Sequence, residues 1–225
     1  MHWLIAMLRR FRDRLDAGAE LAAKLGSYAG DPSVLVLGLP RGGVPVAYEV
    51  AKALGAPLDI FVVRKLGVPG HRELAMGAIA SGGVRVLNTE ILQALRISEA
   101  DVDRVAAEEE KELDRQQRAY RGDAPFPDLA GRTVIVVDDG LATGSTMRAA
   151  VRAIRQHNAR KIVIAAPVAA ADTIRSLASE ADQIVCVNAP DTFHAVSLWY
   201  QTFSQTSDEE VRRLLEAAGH VVSAR

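Results

Sequence analysis

One continuous stretch of the chain, residues 134–146, places the strongest constraint on how these 225 residues fold. It begins with an uninterrupted β-branched run, residues 134–137, which is typical of a parallel strand buried on both faces. Two carboxylates, Asp138 and Asp139, come next, and a glycine-containing loop then leads into a segment whose apolar residues recur at helical spacing. The stretch therefore predicts a buried strand, an acidic turn and the start of a helix in immediate succession.

The loop between the acidic pair and the helix has the composition of an anion-binding turn. Its glycines permit backbone conformations that bring successive N–H groups toward one point, and its last residues add hydroxyl groups where the helix begins. We expect these groups to hold a phosphate dianion, while the two carboxylates accept hydrogen bonds from vicinal hydroxyls. A ribose 5-phosphate offers both the phosphate dianion and the vicinal hydroxyls. The loop residues predicted to bind it are Gly140, Ala142, Thr143, Gly144, Ser145 and Thr146.

This stretch resembles the phosphoribosyl pyrophosphate (PRPP) signature of the type I phosphoribosyltransferases, in which apolar residues precede two acids, small residues and a Thr-Gly-Ser-Thr-like end. Two alternatives are a Walker A loop and an ordinary strand–turn–helix unit. A Walker A loop needs a lysine immediately before its Ser or Thr, where this chain has Gly144. An ordinary turn has no need of two adjacent acids. The resemblance covers most of the chain between about residues 35 and 187.

The alternation of apolar runs with helical patterns predicts an α/β fold with a doubly wound, mainly parallel sheet and flanking helices, as in the resembled family. Further strands are expected at residues 34–37, 58–63, 162–166 and 184–187, with a hairpin strand at 84–87. We predict a single domain over residues 1–225. Its appendages are an N-terminal helix over residues 1–26, a helical excursion over residues 88–125 and a C-terminal aromatic and helical region over residues 188–225.

The predicted N-terminal helix is amphipathic. Its apolar face is expected to run through Phe11, Leu15 and Ala19, while arginines, among them Arg14, alternate with aspartates on the other face. Mixed charge of this kind indicates a solvated surface rather than a binding patch. We therefore expect no ligand-binding role for these arginines.

A second glycine-containing loop, residues 38–43, follows the strand predicted at 34–37. Arg41 stands beside Gly42 and Gly43, a combination of a guanidinium with exposed amides that is suited to clamping a highly charged phosphate group. In the resembled family the loop after the first core strand binds pyrophosphate, and this loop occupies that place. The alternative is a merely solvated arginine in a common type of turn.

A basic segment, residues 64–73, follows the next predicted strand and contains two glycines. The resemblance implies a flexible loop here that closes over the reacting centre and excludes water from a cation-like transition state. Under this interpretation Arg64 and Lys65 contact pyrophosphate oxygens, and His71 and Arg72 do so after closure. The alternative is a solvent-exposed hairpin connection.

Net charge, apolar runs and cysteine content limit the partners and the cellular compartment that we expect for this protein. A formal net charge of −1 offers no broad electrostatic surface for nucleic acid or for a membrane. No apolar run approaches the roughly 20 residues of a membrane-spanning helix, and the first ten residues lack the features of a signal peptide. The single cysteine, Cys186, lies in an apolar run and is expected to pack in the core. These features predict a cytoplasmic protein.

The resemblance implies an enzyme of nucleotide metabolism that transfers the phosphoribosyl group of PRPP to a nucleophilic acceptor, such as a nucleobase, with release of pyrophosphate. Mg²⁺ would bind mainly through PRPP, so no dedicated protein metal site is expected. Catalytic roles fall to Asp138 and Asp139 beside the developing ribosyl cation, and to Arg41 and Lys65 on the leaving group. The acceptor, a homo-oligomeric state and a proton-accepting role for Asp139 stay open.

Two other classes of function compete with this interpretation. The first is a regulator that senses PRPP or a nucleotide on the same fold without turnover. The second is a Ser/His hydrolase, but no Gly-x-Ser-x-Gly elbow exists and neither His157 nor His194 has a motif partner. The C-terminal aromatics Trp199 and Phe203 are candidates for stacking on an acceptor base, although packing in a core is the better-supported role.

Overall fold

The computed structural model describes residues 10–219, apart from the side chain of Arg72. This part of the chain contains eight β-strands: β1 (Val34–Gly38), β2 (Leu58–Ile60), β3 (Val63–Val68), β4 (His71–Ala80), β5 (Val84–Leu87), β6 (Thr133–Val137), β7 (Lys161–Val168) and β8 (Gln183–Asn188). The same residues form seven α-helices: α1 (Arg14–Lys24), α2 (Gly43–Leu54), α3 (Thr89–Ala94), α4 (Glu99–Arg121), α5 (Ser145–Gln156), α6 (Ala171–Leu177) and α7 (Asp208–Ala217). None of these helices combines the length and apolarity needed to cross a membrane.

Five strands form a parallel sheet in the order β2–β1–β6–β7–β8. The neighbouring strands β1 and β6 are buried throughout, which explains their unbroken apolar character. They pair in register from Val34 opposite Thr133 to Gly38 opposite Val137. Because both strands end at the same edge of the sheet, the loops that follow them emerge side by side. The predicted α/β fold with a mainly parallel sheet is confirmed.

Helices cover both faces of this sheet, since successive residues of a strand point to opposite sides. On one face, Val36 and Ile135 belong to an apolar cluster with residues of α1, α2, α4 and α7. On the other face, Leu35 and Val136 belong to a cluster with residues of α5 and α6. The two apolar layers are those of a doubly wound sheet.

The basic segment after β2 forms a β-hairpin. β3 and β4 pair antiparallel and, together with β5, make a separate three-stranded sheet. Their pairing is irregular near the turn, with register shifts on both sides of Gly67. The strand predicted over residues 58–63 is too long, because β2 ends at Ile60 and the backbone of Val62 instead pairs with Ser81 after β4. The hairpin strand predicted at residues 84–87 is confirmed as β5.

The N-terminal helix is shorter than the predicted range of residues 1–26. Residues 1–9 lie outside the described part of the chain, and α1 begins at Arg14. Its N-cap is Asp13, whose carboxylate accepts a hydrogen bond from the backbone N–H of Asp16. The cap satisfies one of the donors that the first turn of a helix leaves free.

The apolar face predicted for this helix is wrong. Leu15 is 43% exposed and Ala19 is also exposed, whereas Leu21 is buried. Phe11 is buried, but it lies in an extended segment that forms a parallel bridge with Tyr200 near the C-terminus. Backbone hydrogen bonds to the C-terminal segment hold these residues extended, so the helical period begins later in the chain than the pattern suggested.

The segments at residues 88–125 and 188–219 each contain a helix with a serine N-cap. Ser98 caps α4 and Ser207 caps α7, each accepting a hydrogen bond from a backbone N–H of the first turn. Helix α7 buries Val211 against the same apolar cluster as the sheet. Trp199 and Phe203 are half-buried and pack with the bridge residues of the two terminal segments.

Candidate functional site

Two loops meet at the carboxyl edge of the parallel sheet, one after β1 and one after β6. A Cβ at Gly43 would lie 2.6 Å from the carbonyl oxygen of Val137 and 2.9 Å from Cα of Asp138. A Cβ at Gly42 would lie 2.0 Å from a carboxylate oxygen of Asp139. Because Cβ atoms essentially never approach backbone so closely, Gly43 requires glycine, and any side chain at Gly42 would displace the Asp139 carboxylate. The structure therefore brings together the predicted residues of both loops.

The acidic pair is half-buried and held from several sides. Asp138 Oδ1 accepts a hydrogen bond from the backbone N–H of Asp139 at 2.9 Å, and the Tyr200 hydroxyl donates to the backbone carbonyl of Asp139 at 2.6 Å. Burial and the neighbouring Asp139 carboxylate hold the pKa of Asp138 well above its usual range. Burial also raises the pKa of Asp139, against the opposing effect of Arg14. Positive charge brought by a ligand would favour the fully ionised pair.

The loop after β6 borders a cavity of about 190 Å³. Gly144 has a φ of 68°, a conformation that favours glycine, and α5 begins at the next residue, Ser145. The first N–H groups of a helix have no partner within the helix and are suited to binding an anion. The sequence-predicted residues that line the cavity are Lys65, Asp138, Gly140, Ala142, Thr143, Gly144, Ser145 and Thr146, and Leu141, Met147 and Val196 complete the lining.

Arg41, in the loop after β1, has a weak protein partner. Its side chain is 39% exposed, and its Nη1 lies 3.6 Å from a carboxylate oxygen of Asp208 at the start of α7. Asp208 also accepts a hydrogen bond from the Tyr120 hydroxyl at 2.7 Å. The Pro40–Arg41 peptide bond is cis. Since a long, solvent-exposed ion pair stabilises little, the guanidinium is available to a stronger anion.

The hairpin brings Lys65 to the cavity but leaves Arg64 elsewhere. Lys65 is exposed and lines the cavity beside the phosphate loop. Its neighbour Arg64 forms an ion pair with Glu109 of α4, with Nη2 2.6 Å from Oε2, as expected for adjacent strand residues that point to opposite faces. His71 is exposed at the start of β4. The side chain of Arg72 lies outside the described part of the structure.

Arg14 also belongs to this site, so the solvated role expected for it is wrong. Its Nε and Nη2 both lie 2.8 Å from Asp139 Oδ2, and its Nη1 donates to the backbone carbonyl of Ser204 at 2.6 Å. The guanidinium carbon lies 3.9 Å from the ring centre of Phe203. No local pattern marks this arginine, because its carboxylate partner is 125 residues away in the sequence.

The parallel sheet with its two loops and the separate hairpin sheet define an α/β protein of the type I phosphoribosyltransferase class. A family model for the phosphoribosyl transferase domain matches residues 6–198. The chain therefore belongs to the phosphoribosyl transferase domain family.

Individual relatives agree with this membership. Proteins from two strains of Mycobacterium tuberculosis, each provisionally named a phosphoribosyl transferase, are 47% identical to this chain over 211 residues. The match covers 94% of this chain and 47% of each relative, so the chain spans about half the length of these curated relatives. A crystal structure of a protein from Thermus thermophilus is 42% identical, with a TM-score of 0.82, and the match covers 92% of this chain and 97% of that one.

Proposed function

We propose that this chain transfers the 5-phosphoribosyl group of PRPP to a nucleophilic acceptor and releases pyrophosphate. The observation that carries the proposal is the direct contact of the two loops, in which Gly42 lies against Asp139 and Gly43 against Asp138. This contact supports a ligand with its 5-phosphate at the loop after β6, its vicinal hydroxyls at the acidic pair and its pyrophosphate at the loop after β1. PRPP carries all three groups.

The acidic pair suits the charge that develops in this transfer. The bond between C1 of the ribose and the pyrophosphate oxygen breaks, the pyrophosphate leaves with the bonding electrons, and a lone pair of the acceptor forms the new bond to C1. As the first bond weakens, positive charge grows on the ribose. Carboxylates already fixed in a half-buried site stabilise such charge without reorganising during the reaction. Asp138 and Asp139 therefore support the transition state electrostatically.

Two cationic side chains are suited to the leaving group. Arg41 lies in the loop after β1 and is exposed enough to exchange Asp208 for a pyrophosphate oxygen. Lys65 lines the cavity from the hairpin, on a long stem that can follow the ligand. Both would neutralise the negative charge that accumulates on departing pyrophosphate.

The oxygen donors of the site fit Mg²⁺ as a companion of the substrate. Within residues 10–219, no group of three or more His, Cys, Asp or Glu side chains is placed to hold a metal ion. Mg²⁺ prefers oxygen ligands, retains several waters and commonly binds through one or two carboxylates together with substrate phosphates. The carboxylates of Asp138 and Asp139, with hydroxyl and pyrophosphate oxygens of PRPP, would supply such oxygen ligands. Bound Mg²⁺ would neutralise pyrophosphate charge.

A pyrophosphate-release assay tests the proposal. The protein is mixed with PRPP, Mg²⁺ and, one at a time, purine bases, pyrimidine bases and small amines, and binding of PRPP is measured in parallel by thermal shift. We expect release with one class of acceptor. Binding of PRPP without release in any mixture would instead support a PRPP-sensing regulator on the same fold. Absence of both binding and release would contradict either function.

Arg41→Ala is expected to weaken pyrophosphate binding much more than ribose 5-phosphate binding. The guanidinium lies in the loop after β1, so only one end of PRPP should contact it. A hydrogen bond to a charged group contributes about 1.5–3 kcal/mol, which corresponds to roughly a 10- to 150-fold loss of pyrophosphate affinity. Titration calorimetry with each ligand and Mg²⁺ measures the two effects. Equal losses for both ligands would mean that Arg41 supports the whole cleft.

Asp208→Asn is the matched variant for this experiment. It removes the carboxylate that faces Arg41 and keeps the hydrogen-bonding shape next to Tyr120. Because an exposed ion pair contributes about 0.2–1 kcal/mol, we expect pyrophosphate to bind up to about fivefold more tightly in this variant. A weaker binding of pyrophosphate would indicate that Asp208 orients Arg41 instead of competing for it.

The tip of the hairpin, residues 66–73, is expected to close over bound PRPP. The register shifts around Gly67 and the exposure of Lys65 and His71 support a tip that moves separately from the rest of the ladder. Trypsin should cut at Lys65 or Arg72, and PRPP with Mg²⁺ should slow this cleavage by about fivefold or more, since a protease acts on the opened state. Cleavage at the exposed Arg96, which is far from the hairpin in sequence, serves as the control.

A second measurement separates closure from binding. Once an acceptor is known, Gly67→Pro should lower kcat more than it lowers PRPP affinity, because proline restricts the backbone without removing charge. Equal cleavage with and without ligand, together with a normal kcat for the proline variant, would show that the segment is only a connection.

A further inference from the structure

We infer that Arg14 is a positioning residue of the transfer site. It acts as an internal counter-ion that neutralises Asp139 and fixes its carboxylate, so that Asp138 supplies the uncompensated negative charge for the ribosyl group. This inference rests on the proposed function and assigns different roles to two acids that look equivalent in the sequence.

Three groups of this chain hold the guanidinium of Arg14: the Asp139 carboxylate, the Ser204 carbonyl and the Phe203 ring. Its Nε donates to Asp139 Oδ2, its Nη2 lies 2.8 Å from the same oxygen as an ion-pair contact, and its Nη1 donates to the carbonyl of Ser204. The ring of Phe203 covers one face, and the side chain is only 12% exposed. Arg41, in contrast, is 39% exposed and has a single long contact. Arg14 is therefore a fixed part of the site, whereas Arg41 is able to exchange partners.

The pair of Arg14 and Asp139 also lies directly beneath the loop proposed to bind pyrophosphate. A Cβ at Gly42 would lie 3.3 Å from Arg14 Nε as well as 2.0 Å from Asp139 Oδ2. The backbone of Asp139 is also fixed, because the Tyr200 hydroxyl donates a hydrogen bond to its carbonyl oxygen. Arg14 thus sets the position of a carboxylate against which the other loop packs.

Charge balance gives this arrangement a catalytic consequence. An uncompensated guanidinium would repel the positive charge that develops on the ribose, and two uncompensated carboxylates would repel each other in a half-buried site. Pairing Arg14 with Asp139 removes both problems. With both acids ionised, as the positive charge of bound Mg²⁺ favours, this pairing leaves a net charge of about one negative unit at the acidic pair, and the geometry assigns that charge to Asp138.

Titration of PRPP with Mg²⁺ into four variants tests the assignment. We expect Asp138→Asn to weaken binding by about 30-fold or more and Arg14→Gln by about tenfold, magnitudes that are typical of lost or unbalanced charges at a binding site. The double variant Arg14→Gln/Asp139→Asn should bind within about threefold of wild type, because residues in direct contact couple and two neutral amides restore the balance. Asp139→Asn alone should lose less than Asp138→Asn.

The control is Arg12→Gln, two residues earlier. Arg12 precedes α1, pairs with Asp16 in the first turn of that helix and has a side chain that is 72% exposed, so PRPP affinity should not change. If Arg14 merely ties the terminal segments together through Ser204 and Phe203, Asp139→Asn cannot rescue Arg14→Gln. Additive losses in the double variant, or equal losses for the two single aspartate variants, would overturn the inference. A wild-type protein that fails to bind PRPP would instead overturn the proposed function, so PRPP is titrated into the wild type first.

Discussion

PRPP with Mg²⁺ is expected to raise the unfolding temperature of this protein, and the Asp138→Asn/Asp139→Asn variant is expected to lose this effect. A ligand that binds only the folded state adds about 2.7 kcal/mol when its concentration is 100 times the dissociation constant. For a domain of this size, that free energy corresponds to a shift of roughly 5–10 °C. The two amides keep the shape of the site but remove the negative charge that should hold the ribose and its Mg²⁺.

Thermal unfolding with and without ligand measures the effect. Omission of Mg²⁺ should reduce the shift in the wild type, because the carboxylates would then face the pyrophosphate charge without the metal. Asp172→Asn serves as the matched control, since Asp172 is 87% exposed at the start of α6 and does not line the cavity. It should retain the full shift. An unchanged shift in the double variant would remove the acidic pair from the ribose site.

The parts of this fold that were predictable from the sequence are those encoded locally. A β-branched run such as residues 134–137 indicates a buried strand wherever it occurs. Loops that follow the strands of a parallel sheet lie at its carboxyl edge, so both glycine-containing loops were expected at that edge. The pairing of β1 with β6, which makes the two loops neighbours, was not predicted. The sequence marked Gly42 and Gly43 only as parts of a phosphate loop, whereas the structure packs Gly43 against the backbone of Val137 and Asp138 and packs Gly42 against the Asp139 carboxylate.

Contacts between distant segments account for what the sequence did not reveal. Arg14 is one of several arginines in a mixed-charge stretch, and its place in the site depends on a bridge between Phe11 and Tyr200. Arg64 and Lys65 are adjacent in the sequence, yet only Lys65 lines the cavity. That distinction requires knowing that this segment is a strand, in which neighbouring side chains point to opposite faces.

The sequence also gives no sign of a buried ion pair between Asp59 and Arg121, because its partners lie in distant segments. This ion pair leads to the prediction with the largest effect on stability. Both side chains are 3% exposed, and Arg121 Nη2 lies 3.1 Å from Asp59 Oδ1 and 3.0 Å from the carbonyl oxygen of Ile60. The contact joins the end of α4 to β2. Asp59→Ala would leave a buried guanidinium without this carboxylate, so we expect a loss of about 3–5 kcal/mol in the free energy of unfolding.

Denaturant unfolding of three variants decides why the stability falls. If the uncompensated charge is the cause, Asp59→Ala/Arg121→Met should recover most of the loss, because apolar side chains often replace a buried ion pair without net cost. Arg118→Ala, on an exposed part of the same helix, should change the free energy of unfolding by less than about 0.5 kcal/mol. A double variant as unstable as Asp59→Ala would show that packing, rather than charge, governs this contact.

The ion pair also fixes the end of α4 that faces the proposed pyrophosphate loop. Tyr120 directly precedes Arg121, and its hydroxyl donates to Asp208, the residue that faces Arg41.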